Sequence, residues 1–143
     1  MYMVKYSEVG VPTPKPMMSQ DTEKFWRLLQ EEKQLHLQKC NNCQTYSHPP
    51  RVVCSNCHSF DLGWVPSEGK GVIHSYVIYH RSVHPGFKTP YGVILVELEE
   101  GVRIISNMVD CEPHEIEIGM PVEAVVDQVF EDTALVKFKR INN

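Results

Sequence analysis

The stretch Cys40-Asn41-Asn42-Cys43-Gln44-Thr45-Tyr46-Ser47-His48-Pro49-Pro50-Arg51-Val52-Val53-Cys54-Ser55-Asn56-Cys57 carries two Cys-x2-Cys pairs separated by ten residues. Two residues between cysteines let each pair turn back so that both sulfurs face one point. Two such turns can present four thiolates to a single tetrahedral ion. Disulfide pairing is the alternative use of four cysteines. The first residues, with Lys5 and Glu8 among scattered apolar side chains, lack the apolar core of a secretory leader. A cytoplasmic location is therefore expected, where the reducing thiol pool disfavours disulfides and metal binding is the stronger reading.

Tetrahedral sulfur coordination suits zinc or iron. An iron electron-transfer centre of the rubredoxin type ordinarily has Gly after each pair, but Gln44 and His58 stand there, which favours one zinc per chain. Four cysteine ligands leave no open position for water, so Cys40, Cys43, Cys54 and Cys57 are expected to hold structure rather than to catalyse. His48 and His58 are not needed as ligands. Cys111 stands alone, without an evident base, and reads as a half-buried apolar residue.

Upstream of the metal motif, Ser19 or Asp21 can cap a helix that runs to about Gln34. Its apolar stripe is Phe25, Trp26, Leu28 and Leu29; a helix this short needs packing from the chain's own body or from a partner subunit. Phe25, Trp26 and Leu29 are the expected docking residues. Residues 1–18, with Pro12, Pro14 and Pro16, read as an extended arm that lies on a partner or frays.

Downstream, Gly69 and Gly71 open a region rich in Val, Ile and Tyr. Five strands are predicted, over about 71–80, 91–98, 102–109, 121–129 and 133–140, with a helical turn started by Pro113 between the third and fourth. Such a set suits a small Greek-key barrel of the oligonucleotide/oligosaccharide-binding (OB) type or an SH3-like barrel. Between the first two strands runs Arg81-Ser82-Val83-His84-Pro85-Gly86-Phe87-Lys88-Thr89-Pro90, too long and Pro-rich for a tight hairpin. The predicted class is mainly β, divided into an arm (1–18), a docking helix (19–36), a zinc ribbon (37–68) and a barrel (69–143).

Charge narrows the function. The net charge is -4, and residues 71–143 carry 6 basic against 11 acidic side chains. An acidic barrel is poorly suited to DNA or RNA, whose affinity comes from neutralised phosphates. No apolar run reaches the roughly 18 residues of a membrane span. Phosphate-cradling glycine loops, a Ser-centred elbow and a His-Glu-x-x-His helix are all missing, which lowers the expectation of an autonomous active site.

The order of helix, four-cysteine ribbon and barrel resembles the acyl-CoA-associated OB-fold proteins with an N-terminal rubredoxin-like zinc ribbon. The resemblance covers about residues 19–140. It is carried by Leu37-x2-Cys40-x2-Cys43, Pro49-Pro50-Arg51, Cys54-x2-Cys57, Trp64-x4-Gly69-x-Gly71, Ser75-Tyr76-Val77, Pro90-Tyr91, Val96-Glu97-Leu98, Gly101 and Gly119-Met120-Pro121-Val122. It implies a five-stranded OB barrel and a non-catalytic accessory subunit of an acyl-CoA-processing complex. Its leading implied partner is a thiolase-fold catalytic subunit, this chain then being similar to a small subunit such as that of a benzoylsuccinyl-CoA thiolase; hydratases and aldolases are other partners of that family. By that resemblance the ribbon and helix would dock on the partner and the long loop would lie near the acyl-CoA entrance; because a cationic loop with one aromatic suits a phosphate-bearing, partly apolar ligand, Arg81, His84, Phe87 and Lys88 are the expected contacts with acyl-CoA or the partner, against the alternative of a solvent loop. The competing functions are a nucleic-acid-binding ribbon-plus-barrel module and an iron electron carrier. The chain departs from the commonest ribbon pattern by lacking Gly after Cys43 and Cys57.

Overall fold

The computed structural model describes residues 14–141. Its elements in chain order are helix α1 (Glu23–Glu32), strands β1 (His36–Cys40), β2 (Tyr46–Ser47), β3 (Leu62–Pro66), β4 (Lys70–Tyr79), β5 (Tyr91–Leu98) and β6 (Arg103–Ser106), a 3-10 turn (Pro113–Glu115), and strands β7 (Pro121–Phe130) and β8 (Thr133–Arg140).

Helix α1 is shorter than the sequence suggested. Ser19 caps a preliminary turn, its carbonyl accepting from the N–H groups of Thr22 and Glu23, and α1 starts only after Thr22. Lys33 then takes a left-handed conformation (φ 55°) that stops the helix, and the chain is extended again by His36. Phe25 and Leu29, four residues apart, are buried against the chain itself, with Trp26 edge-on to Phe25 at 5.1 Å. The docking role expected of these residues is thus met, for Phe25 and Leu29, by the body of the same chain. Of the three, only half-buried Trp26 remains partly available. Of the predicted arm, residues 1–13 lie outside the described residues. Residues 14–18 have no regular structure, and Lys15 is tied to Asp132 of the barrel at 2.7 Å, with its ammonium 6.0 Å from the Phe130 ring.

Two antiparallel sheets follow. The ribbon sheet has the order β2-β1-β3; the larger has the order β6-β5-β4-β7-β8. The larger sheet curls until its ends meet. Met108 forms a parallel bridge with Phe138, the Val109 N–H donates to the Phe138 carbonyl at 2.8 Å, and the Phe138 N–H donates to the Asn107 carbonyl at 3.0 Å. The third strand predicted over 102–109 is therefore two pieces: β6, paired with β5, and an irregular continuation that crosses to β8. This closure, parallel between the third and fifth barrel strands, gives the five-stranded OB barrel.

One apolar cluster serves both sheets. Leu35 and Leu37 from the ribbon side and Phe25 from α1 pack with the barrel residues Ile73, Ile94, Val96, Val122 and Phe138. The glycines of the Trp64-x4-Gly69-x-Gly71 motif make this close approach possible. Gly69 has φ +70° and lies where a Cβ would come within 2.5 Å of the Ala124 Cβ; at Gly71 a Cβ would be 2.3 Å from the Glu97 carbonyl oxygen. Since the Glu97 oxygen belongs to the backbone of the paired strand, Gly71→Ala is expected to force β4 and β5 apart and to cost several kcal/mol, of order 1–3 or more. A clear fall in the thermal midpoint would verify this; an unchanged midpoint would show that the sheet yields without cost.

Candidate metal centre

Two knuckles of matching design project the four sulfurs. In the first, the Gln44 N–H donates to the Cys40 carbonyl (2.9 Å) and the Cys40 N–H to the Thr45 carbonyl (2.9 Å); in the second, His58 N–H donates to Cys54 (3.0 Å) and Cys54 N–H to Ser59 (2.9 Å). The residue after each pair must be left-handed for the chain to turn this sharply. Gln44 (φ 67°) and His58 (φ 63°) take that conformation themselves, so the glycines missing from the pattern are replaced at a cost in backbone strain and the turn is kept.

All four Sγ atoms lie within 4.8 Å of one another. Cys40 and Cys57 are 3.6 Å apart and Cys43 and Cys54 3.5 Å, against the roughly 2.0 Å of a disulfide. A tetrahedron with zinc–sulfur bonds of about 2.3 Å has edges of about 3.8 Å, so the residues fit one zinc ion. Cys40 and Cys54 are buried, while Cys43 and Cys57 are half-buried. Hydrogen bonds favour the thiolates of Cys43 and Cys57. The Asn42 amide donates to the Cys57 sulfur at 3.4 Å across the site, which lowers the Cys57 pKa. Asn56, with Thr45 (3.1 Å), pulls the Cys43 thiol down to about 5. When bound, the ion supplies a rigid cross-link between the knuckles, and no ligand position is left for a reacting molecule.

Gln38 was missed in the sequence reading, although it shares a strand face with Cys40. It is 6% exposed and its amide clamps the backbone of Arg51 from both sides, Nε2 donating to the Arg51 carbonyl and Oε1 accepting from the Arg51 N–H, each at 2.8 Å. The clamp fixes the crossing from His48 to Arg51 between the knuckles. Gln38→Leu would leave both backbone groups without partners, an expected loss of about 1–3 kcal/mol visible as a lower denaturation midpoint of the zinc-loaded protein.

Beside this crossing, a groove of about 290 Å³ opens where helix, ribbon and barrel meet, lined by Trp26, His48, Pro50, Ile105 and Leu135 among others. His48 packs on Phe25 with ring centroids 5.3 Å apart, and burial lowers its pKa, keeping the imidazole neutral. It does not ligate. Of the residues predicted to contact acyl-CoA, Phe87 and Lys88 line a second groove, which shares Asn107 and Lys137 with the first. Arg81 and Lys88 are exposed, and Phe87 is half-buried 5.4 Å from the Tyr91 ring. His84 is engaged within the loop, its Nδ1 accepting from the Gly86 N–H at 2.9 Å. Cys111 is half-buried and burial raises its pKa, which suits the inert role expected of it.

A structural zinc ribbon fused through a shared core to an OB barrel defines the class of protein. The ribbon, residues 31–63, matches the model of the rubredoxin-like zinc ribbon domain of ChsH2, and residues 64–127 match that of the ChsH2 C-terminal OB-fold domain. The chain belongs to this ChsH2-type family, also known as DUF35.

Among its relatives is a probable enoyl-CoA hydratase alpha subunit of Thermomonospora curvata, 42% identical over 122 residues; these are 85% of this chain but 37% of the relative, so the chain spans about a third of that protein. A DUF35 domain-containing scaffold protein of Methanocaldococcus jannaschii is 36% identical, covering 82% of this chain and 89% of its own length. The solved structure described as the Ltp2-ChsH2(DUF35) aldolase superposes with a TM-score of 0.80 at 38% identity, covering 88% of this chain and 98% of the other. These relatives correct the expectation of a thiolase-fold partner: their descriptions name hydratase and aldolase enzymes. The resemblance had specified the ribbon and barrel, which several enzyme classes share, and nothing in those residues encodes the partner's chemistry.

Proposed function

We propose that this chain is a non-catalytic accessory subunit of an acyl-CoA-processing complex whose catalytic partner is of the hydratase or aldolase type. The observation that carries the reading is the 38% identity to a chain of the Ltp2-ChsH2(DUF35) aldolase over 98% of that chain's length. The metal centre supports it. Four sulfur ligands close the coordination sphere, which suits a docking platform and not a reactive centre.

The ribbon carries exposed apolar side chains at Val52 and Phe60, 61% and 78% exposed, and these are the proposed contacts with the partner. Arg81, His84, Phe87 and Lys88 are proposed to face the acyl-CoA entrance, with the reaction itself residing in the other subunit. Four thiolates kept from oxidation fit a reducing compartment such as the cytoplasm. No helix among the described residues is long and apolar enough to cross a membrane.

Co-expression with a hydratase- or aldolase-type protein encoded beside it provides the test. A stoichiometric complex is expected, and Phe60→Asp should release it while leaving the circular dichroism spectrum unchanged. Recovery of the wild-type chain free of any acyl-CoA enzyme would refute the assignment.

A further inference from the structure

Strand β4 is paired unevenly on its two edges. On the β5 side the ladder runs from Gly71, opposite Leu98, to Tyr79, opposite Tyr91. On the β7 side it covers only Lys70, Gly71 and Val72, because β7 begins at Pro121. The chain leading into β7 last touches β4 at Ile73, whose carbonyl accepts from the Gly119 N–H at 2.7 Å. From His74 to Tyr79, therefore, β4 has a neighbouring strand on one edge only, among the described residues. A register shift between Ile73 and Ser75 separates this outer half of the strand from the half built into the barrel.

An open edge offers a row of peptide groups to any passing strand, and proteins commonly guard one with a Lys, another charge or a Pro. The outer half of β4 has none of these. No Asp, Glu, Lys, Arg or Pro lies between Lys70 and Arg81. Ser75-Tyr76-Val77-Ile78-Tyr79 consists mostly of strand formers, and all but Ile78 are exposed, Val77 to 54%. Uncharged, exposed and prone to extend, this edge is built to be covered.

Its occupant must be an extended strand, since backbone donors and acceptors are what the edge presents. A strand from a different protein would cover it and present a new open edge of its own. A second copy of β4, related by a two-fold axis, uses up both edges at once. The sequence suits that arrangement, because His74-Ser75-Tyr76-Val77-Ile78-Tyr79-His80 runs from histidine to histidine about a central Val77. Antiparallel pairing about that centre sets Val77 against its own copy, Tyr76 against Ile78, Ser75 against Tyr79 and His74 against His80. Aromatic and β-branched cross-strand pairs of this kind stabilise a sheet, and no Asp, Glu, Lys or Arg meets its like, although the chain as a whole carries a net charge of -4. We infer that the outer half of β4 is a self-association edge, through which two copies of this chain pair antiparallel about Val77 and join their larger sheets into one. The pairing is independent of the function proposed above.

Sedimentation equilibrium of the zinc-loaded full chain over a wide range of protein concentration is the test. The mass is expected to rise from that of one chain and to level off at two, and amide hydrogen exchange should slow over the same range at alternate residues of His74–Tyr79. Val77→Lys, at an exposed position, sets two ammonium groups opposite each other and should weaken association by about tenfold or more while leaving the circular dichroism spectrum unchanged. Val83→Lys, on the loop beyond the strand and also exposed, is the matched control and should leave the association as it was. A chain that stays monomeric at the highest concentration, a dimer that Val77→Lys leaves intact, or growth past two chains overturns the inference. So does slowed exchange along β4 that appears only when a hydratase- or aldolase-type subunit is added, which would give the edge to the catalytic partner. Capture of that subunit is measured separately, so a monomeric chain that still forms the complex would remove the self-pairing and leave the accessory-subunit role standing.

Discussion

Replacing Cys54 with Ser is expected to release the zinc and unfold the ribbon while most of the barrel's strand signal persists. Cys54 is fully buried, its sulfur 3.5 Å from that of Cys43, and its backbone closes the second knuckle through His58 and Ser59. The ribbon has little else to hold it: a three-stranded sheet in which β2 has two residues, with Leu35 and Leu37 contributed to the core it shares with the barrel. Structural zinc sites of this kind contribute apparent free energies of about 10–16 kcal/mol at neutral pH, larger than any single packing contact. The barrel, by contrast, is closed by its own hydrogen bonds between residues 107–109 and Phe138. Zinc stoichiometry, limited proteolysis and circular dichroism check the expectation, and a chelator should reproduce the variant's behaviour in the wild-type chain. A Cys54→Ser protein that keeps one zinc per chain and a protease-resistant ribbon would contradict it. Loss of the ribbon should also abolish capture of the catalytic partner, since Val52 and Phe60 are carried on the ribbon.

The second large effect is expected at the barrel seam. Phe138 is completely buried, packs in the shared core, and exchanges backbone hydrogen bonds with Asn107 and Val109 where the sheet closes on itself. Phe138→Ala removes a ring from a site that cannot readily collapse, because strands converge on it from both ends of the sheet. Such truncations cost about 3–5 kcal/mol, a large part of the roughly 5–15 kcal/mol that stabilises a typical domain. A urea midpoint lowered far enough to leave the variant partly unfolded in buffer is the expected result. Phe60→Ala is the matched control: at 78% exposure it should shift stability by no more than about 0.5 kcal/mol in the isolated chain. Equal effects at the two positions would mean that the seam is not where the barrel's stability is concentrated.

The two predictions mark how unevenly the sequence could be read. Local signals were legible where one residue type at one spacing has one physical use. The paired cysteines defined the metal site, and alternating apolar residues located β4, β5, β7 and β8 to within about a residue. The predicted third strand ran too far because apolar alternation continues through Met108, while hydrogen bonding changes partner after Ser106. The amphipathic stripe of α1 was visible, but a stripe does not name what covers it; Phe25 and Leu29 turned out to face the chain's own core. Gln38 was invisible as a structural clamp because its two partners belong to the backbone of Arg51, thirteen residues away. The stacking of Tyr79 on Tyr91, ring centroids 5.1 Å apart, escaped for the same reason: the two are twelve residues apart and meet only through cross-strand pairing.

By itself, then, the sequence determined the ligand set for a closed zinc centre, the mainly β class and the positions of most strands, because each depends on contacts short in sequence or on periodicity along one element. Only the tertiary structure decided that ribbon, helix and barrel share one core, and that the barrel closes in parallel through Phe138. Those features arise from side chains and peptide groups brought together across long separations, and no local pattern records which distant partner a buried or exposed face will meet.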